Sequence, residues 1–282
     1  MKNNRNNRPA GREKARPEAY RRPARPQPRP QEEESARGMQ REYIVIGRNG
    51  VIELLKSGRA VESILVTGGE AQGSIVRILA MAKEQGIPVK ETSPAKLDNM
   101  CGHQNHQGVI AVTGAANYST MEDIYKKAGD QPLFVIIADE ITDPHNLGAI
   151  IRTAEIAGAH GVIIPKRRSV GLTATVAKAS AGAIEYMKVA RVTNINTAIA
   201  ELKEKGVWVF GTAAEGSIPM YQANLTVPAA IVIGNEGDGM SQLVRKNCDV
   251  MLNIPMKGHI SSLNASAAAS ILLYEALRQR LG

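Results

Sequence analysis

Aromatic side chains make up only 4% of this 282-residue chain, and tryptophan occurs once. A surface that grips single strands by stacking bases on aromatic platforms is therefore not expected. Cysteine is scarcer still. Cys101 and Cys248 are too few for a disulfide framework, which points to a reducing, cytoplasmic setting. No apolar run approaches the roughly 20 residues that span a bilayer, so no membrane association is expected. The N-terminus also lacks the apolar stretch of a secretory signal. The phosphate-binding patterns GxGxxG and GxxxxGK[ST] are both missing, which argues against the usual dinucleotide and nucleoside triphosphate sites.

Hydrophobic residues reach 43%, ample for a core, and the formal net charge is +8. That charge is not spread evenly. Residues 1–30 hold ten Lys and Arg against Glu13 and Glu18, so this segment carries the whole excess and the rest sums to zero. Six of the fourteen prolines fall within residues 1–42, where apolar residues are nearly missing. Such a stretch cannot bury enough surface to offset its ordering entropy, and it reads as a disordered basic arm. It suits RNA phosphates and stacked bases, with a solubilising or targeting tail as the plainer reading.

From Tyr43 onward, strand and helix signals alternate. Strands are expected at 43–47, 63–68, 88–92 and 108–114, with helices to about Ser57, over 74–86 and after Ser93-Pro94. This makes a small α/β unit over residues 43–115. Residues 116–132 read as a linker with one short helix. A larger unit over 133–282 opens with LFVIIAD (133–139), an apolar run typical of a buried parallel strand. Further strands are expected at 161–165, 187–192, 207–213, 229–234 and 250–255, and helices at 146–158, 173–185, 195–205, 239–247 and 263–280. The fold class is thus α/β, and ligands are expected beyond the C-terminal ends of the strands.

Three segments carry the chemistry. DPHNLGAIIRTA (143–154) follows a strand and opens a helix; Asp143 and Asn146 suit its cap, and Gly148 permits close backbone approach. Asn146 and Arg152 are six residues apart and so do not share a helical face. They could meet only if Asn146 lay in the loop. IVIGNEGDGM (231–240) puts Gly234, Gly237 and Gly239 in a tight loop around Glu236, where a purely structural turn would prefer Asn or Asp. NIPMKGHISSLNASAAAS (253–270) ends a strand and starts the last helix, with Ser261, Ser262 or Asn264 as its cap. Its alanines present a face to a partner chain or to the sheet.

In order and spacing, these segments resemble the three motifs of the SpoU/TrmH branch of the SPOUT RNA methyltransferases. Residues 43–114, with GRNGVIELL (47–55) and HQGVIAV (106–112), are similar to the small substrate-binding domain of ribosomal protein L30e fold that precedes the catalytic domain. That pairing points to the RlmB-type subgroup, which methylates a guanosine of 23S ribosomal RNA; the tRNA enzymes of the branch lack the small domain. The basic arm departs from what the subgroup requires. The resemblance implies a C-terminal trefoil knot, S-adenosylmethionine as cofactor, no metal and a homodimer. It implies catalytic roles for Asn146, Arg152, Glu236, Ser262 and Asn264, and cofactor contacts near Gly234, Ile254 and Leu263. The implied RNA is 23S rRNA or a large-subunit assembly intermediate.

Other readings are weaker. Cys101, His103 and His106 lie close together but lack a fourth ligand for zinc. His145 sits beside Asn146 and is a further candidate. Cys248 reads as inert core. A non-catalytic ribosome-assembly factor on the same scaffold would be expected to have lost one of the five chemistry-bearing residues, and all five are present. The same chemistry on tRNA, or on another rRNA site, is the nearer rival.

Overall fold

The computed structural model describes residues 43–69, 72–114, 117–213, 217–235, 237, 239–260 and 262–282. The basic arm, Glu236 and Ser261 lie outside the described residues. The described residues form one compact unit that contains two sheets.

The first sheet has four strands: β1 (Tyr43–Ile46), β2 (Val61–Thr67), β3 (Val89–Thr92) and β4 (Val109–Thr113). Their order is β1-β4-β2-β3, with β4 antiparallel to both β1 and β2, and β2 parallel to β3. Helix α1 (Arg48–Ser57) buries Val51, Leu54 and Leu55, and α2 (Ser74–Glu84) buries Ile78 and Ala82. Ser93 caps α3 (Pro94–Cys101) by accepting from the Lys96 amide, with Pro94 in the first turn.

The second sheet has seven strands, all paired in parallel: β5 (Phe134–Ala138), β6 (Gly161–Pro165), β7 (Lys188–Val192), β8 (Trp208–Thr212), β9 (Ile218–Pro219), β10 (Ala229–Ile233) and β11 (Val250–Asn253). The order is β7-β6-β5-β10-β8-β11-β9. β10 is the later element in the chain, yet it lies between β5 and β8. β5, β6 and β10 are buried along their whole length, as expected of strands covered on both faces. Each buried Ile or Val contributes about 1.5–3 kcal/mol by leaving water.

The helices of this half are α4 (Met121–Ala128), α5 (Pro144–Ile156), α6 (Ala174–Ala179), α7 (Ile195–Glu204), α8 (Gln242–Asn247) and α9 (Ala265–Leu281). One expectation needs correction: 173–185 is not a single helix. α6 stops at Ala179, and a separate 3-10 turn follows at Ala183–Glu185. Ala181 and Gly182 take φ of +51° and +93°, which no continuous right-handed helix permits. Gly182 turns there against α1, where a Cβ would lie 2.5 Å from Glu53 Cβ.

The connection ahead of β5 is built into the large sheet. Ser119 donates its amide to the Val189 carbonyl at 2.8 Å, and Tyr118 Oη accepts from the Leu172 amide at 2.9 Å. The Arg191 guanidinium stacks over the Tyr118 ring, 5.2 Å from its centroid. Among the described residues no helix is long and apolar enough to cross a membrane.

Candidate active site

Asp143 caps α5 by accepting the His145 amide at 2.8 Å, and Pro144 occupies the first turn. Asn146 is therefore helical rather than in the preceding loop. Six residues at about 100° each separate it from Arg152 by most of two turns, so the two side chains leave on different faces. Asn146 is buried and Arg152 is exposed. The structure does not bring this pair together, and among the described residues Arg152 has no polar partner.

Asn146 instead meets the third segment. Asn264 Nδ2 donates to Asn146 Oδ1 at 2.9 Å, although 118 residues separate them. The same Asn264 side chain caps α9, its Oδ1 accepting from the Ser266 and Ala267 amides at 3.0 and 3.3 Å. Of the three expected caps it is Asn264 that serves, and its amide fills both roles at once. Thr153 and Ser270 hydroxyls, 3.1 Å apart, join α5 to α9 further along.

Gly148 explains how α5 fits. It packs directly on α6, where an added Cβ would lie 2.4 Å from Ala179 Cβ and 2.8 Å from the Val176 carbonyl. Gly234 plays a similar part at the end of β10. The loop closes on itself, with Asn235 and Gly239 exchanging backbone hydrogen bonds at 3.0 Å, and a Cβ on Gly234 would meet backbone of Gly239 and Met240 at 2.4 Å. Asn235 holds this loop from both sides. Its Oδ1 accepts the Gly237 amide at 2.7 Å, and its Nδ2 donates to the Glu140 carbonyl at 3.0 Å. Asp139, buried at the end of β5, accepts the Ser241 amide at 3.0 Å; burial pushes its carboxyl above the usual range.

Beyond the C-terminal ends of β8, β10 and β11 lies a cavity of about 640 Å³. Gly234, Ile254, Ser262 and Leu263 all line it, so four residues singled out in two separate segments share one site. Thr212, Asn235, Arg245 and His259 also line it and were not singled out from sequence. Asn235 had a readable signal, an Asx turn ahead of glycine. Arg245, on a helix of ordinary pattern, had none. Glu236 belongs to the same loop but lies outside the described residues.

Cys101 is buried and donates to the Gln104 carbonyl at 3.0 Å, while His106 Nδ1 accepts the Gly108 amide at 2.9 Å. No group of three or more metal-ligating side chains occurs among the described residues. Cys248 closes α8, half-buried, with its thiol pushed up to about 11 chiefly by burial.

A parallel α/β sheet with a cavity of this size beyond the C-terminal ends of its strands, walled by glycine-containing loops, is the ordinary setting of a small-molecule or cofactor site. The chain matches the SpoU rRNA Methylase family over residues 133–274, and an RNA 2'-O ribose methyltransferase substrate-binding domain over residues 44–119. It is 48% identical over 239 residues to the Bacillus subtilis protein YacO, described as a TrmH family tRNA/rRNA methyltransferase, covering 84% of this chain and 95% of that protein. A Staphylococcus aureus relative described in the same terms is 46% identical, covering 84% and 96%. Among solved structures, an AdoMet-bound rRNA methyltransferase from Sinorhizobium meliloti superposes with a TM-score of 0.72 at 25% identity, covering 88% of this chain and 92% of that one. An RNA 2'-O ribose methyltransferase reaches 0.73 at 27% identity, covering 88% and 92%. The chain belongs to the SpoU/TrmH family of RNA methyltransferases.

Proposed function

We propose that the chain transfers the methyl group of S-adenosylmethionine to a ribose 2'-hydroxyl, on a guanosine of 23S rRNA. The observation that carries the chemistry is the meeting of all three segments: the 640 Å³ cavity of the second and third, and the Asn146–Asn264 bond that ties the first to the third. The cavity's size and its closed backbone loops suit a nucleoside cofactor, with Gly234, Ile254 and Leu263 as the wall. Bound there, S-adenosylmethionine supplies an already activated sulfonium methyl.

The protein's part is positioning and charge. A guanidinium offers only donors, so the role open to Arg152 is hydrogen bonding and charge rather than that of a base. Its exposed guanidinium suits the RNA phosphate beside the target ribose and the oxyanion that develops as the 2'-oxygen loses its proton. Asn146 and Asn264 tie α5, the helix that carries Arg152, to α9, whose Ala265 and Ala268 line the cavity. Glu236 or water accepts the proton, and Ser262 lies at the cavity wall to orient the reacting groups. A trefoil knot in the C-terminal segment, and a homodimer through the exposed Ile271 and Tyr274 of α9, belong to the same reading. So do a cytoplasmic setting and the division into an L30e-like substrate-binding domain (43–115), a linker (116–132) and a catalytic domain (133–282).

The small substrate-binding half favours rRNA over tRNA as the target. Mapping 2'-O-methyl sites in total RNA from a deletion strain tests this: loss of one 23S guanosine methylation is expected, and loss at a tRNA site would redirect the assignment. For the chemistry, Arg152→Ala is expected to lose about 100- to 1000-fold in single-turnover methylation while cofactor affinity by calorimetry is retained. Arg152→Lys is expected to rescue little, because an ammonium lacks the planar fork. Wild-type methylation by Arg152→Ala would move the catalytic centre elsewhere.

A further inference from the structure

The two sheets meet along α6 and the turn after it. Arg59, between α1 and β2, donates from Nη1 to both oxygens of Glu185 at 3.1 and 3.2 Å. Its Nη2 donates to the Gly114 carbonyl, and its guanidinium stacks over Tyr43, 5.1 Å from the ring centroid. The Glu185 side chain is only 3% exposed. Around this pair, Tyr43 Oη donates to the Thr173 carbonyl at 3.3 Å, Gln104 Nε2 to Thr175 Oγ1 at 2.9 Å, and Tyr186 Oη to Glu53 Oε2 at 2.8 Å. These three bonds and the Arg59–Glu185 pair all join the four-stranded half to the segment 173–186. That segment in turn packs on Gly148 with no space for a methyl group, and Gly148 lies one turn from Arg152 on α5.

We propose that Arg59 and Glu185 are positioning residues: their ion pair fixes the register of the substrate-binding sheet against the helix that carries Arg152. This rests on the functional reading above. RNA held on the small sheet is thereby presented at a set distance and angle to the methyl-transfer cavity. A part-buried ion pair with directional hydrogen bonds suits that task better than an apolar contact, although it adds little net stability over a well-packed apolar pair. Misplacing a bound substrate by about 1 Å is enough to cost on the order of a hundredfold in rate, so a small loss of register is readable.

The test uses the full chain with Glu185→Gln and, separately, Arg59→Lys, which keeps the charge and loses the fork. Four quantities are measured: S-adenosylhomocysteine affinity by calorimetry, RNA affinity, and single-turnover methylation of a structured rRNA domain and of a short oligonucleotide around the same nucleotide. Methylation of the structured RNA is expected to fall on the order of ten- to a hundredfold, with both affinities and the short-substrate rate unchanged. An unchanged rate on structured RNA overturns the proposal. So does a loss of cofactor affinity in step with the rate, since the pair would then merely hold the fold. A second readout does not depend on RNA chemistry. In a Cys248→Ser background, spin labels at Lys90→Cys and Leu243→Cys report the distance between the two halves. A narrow distribution that broadens in Glu185→Gln supports the pin, and one that does not broaden overturns it. If the wild type transfers no methyl group to any RNA, it is the functional reading that fails, while the distance measurement still judges the pin.

Discussion

Replacing Gly148 by alanine tests the packing that places the first motif. Alanine is the better helix former by about 1 kcal/mol, so an exposed helical glycine would gain stability from this change. Here the new Cβ would lie 2.4 Å from Ala179 Cβ, 2.8 Å from the Val176 carbonyl oxygen and 3.0 Å from the Ser180 nitrogen. Carbon atoms pack best at about 3.5–4.0 Å, so α5 and α6 would have to part by roughly 1 Å or more. Two of the three obstructing atoms are backbone, which cannot rotate away. Overpacking of this kind costs about 1–3 kcal/mol, and the severity of the overlap places the expected net loss at about 2 kcal/mol after the helix gain. Urea unfolding of Gly148→Ala beside Gly114→Ala, a site with open space around the added methyl, is the assay. Methylation should fall further than stability alone accounts for, because Asn146 and Arg152 ride on the displaced helix. A Gly148→Ala protein as stable as wild type would refute the close-packing argument.

Other outcomes follow from the same packing. Asn264→Ala is expected to lose about 0.5–2 kcal/mol through the α9 cap, whereas Asn264→Asp keeps the acceptor yet removes the donor to Asn146. The aspartate variant sets a carboxylate oxygen against the buried Asn146 Oδ1, so it should lose roughly 1–3 kcal/mol in urea melts and methylate slowly; wild-type stability and rate together would mean the bond to Asn146 is idle. His160 accepts the Phe134 amide on Nδ1 at 3.0 Å, and burial, with Lys127 and Arg280 nearby, lowers its proton affinity. The unfolded chain therefore binds this proton more readily, and stability should fall as pH drops below about 6.5, by up to about 1.4 kcal/mol per pH unit, and be flat above. His160→Gln should remove that part of the slope in pH-dependent urea melts, and an identical slope in the variant would sink the assignment. Deleting residues 1–42, with their +8 charge over the first 30, should leave an active core and flatten the salt dependence of RNA binding, by about 0.7–0.9 in log–log slope for each phosphate the arm neutralises. An unchanged slope would mean the arm does not touch RNA.

Local sequence was enough to set the elements and the chemistry-bearing segments. Runs such as Phe134–Ala138 and Ala229–Ile233 are short and apolar throughout, as expected of strands covered on both faces. Asp143-Pro144 and Ser93-Pro94 mark helix starts because capping and first-turn φ are local properties. Gly234, Ile254, Ser262 and Leu263 were named through the resemblance to the SpoU/TrmH motifs, and the fold gathers them around one cavity at the strand ends. The rest depends on packing between residues far apart in the chain, and there the tertiary structure decided. Helix 173–185 breaks at Ala181 and Gly182, whose positive φ turns the chain where Gly182 packs on Glu53 of α1; the glycine is a local stop signal, but the contact with α1 is not. Asn146 is buried and Arg152 exposed because α5 is held between α6 and α9, so the spacing of six sets their angle but not which side faces the core. β10 enters between β5 and β8, and the partner of Asn146 proves to be Asn264, through packing rather than pattern. Hydrophobic periodicity says that a face is buried; only the assembled sheet and helices say against what.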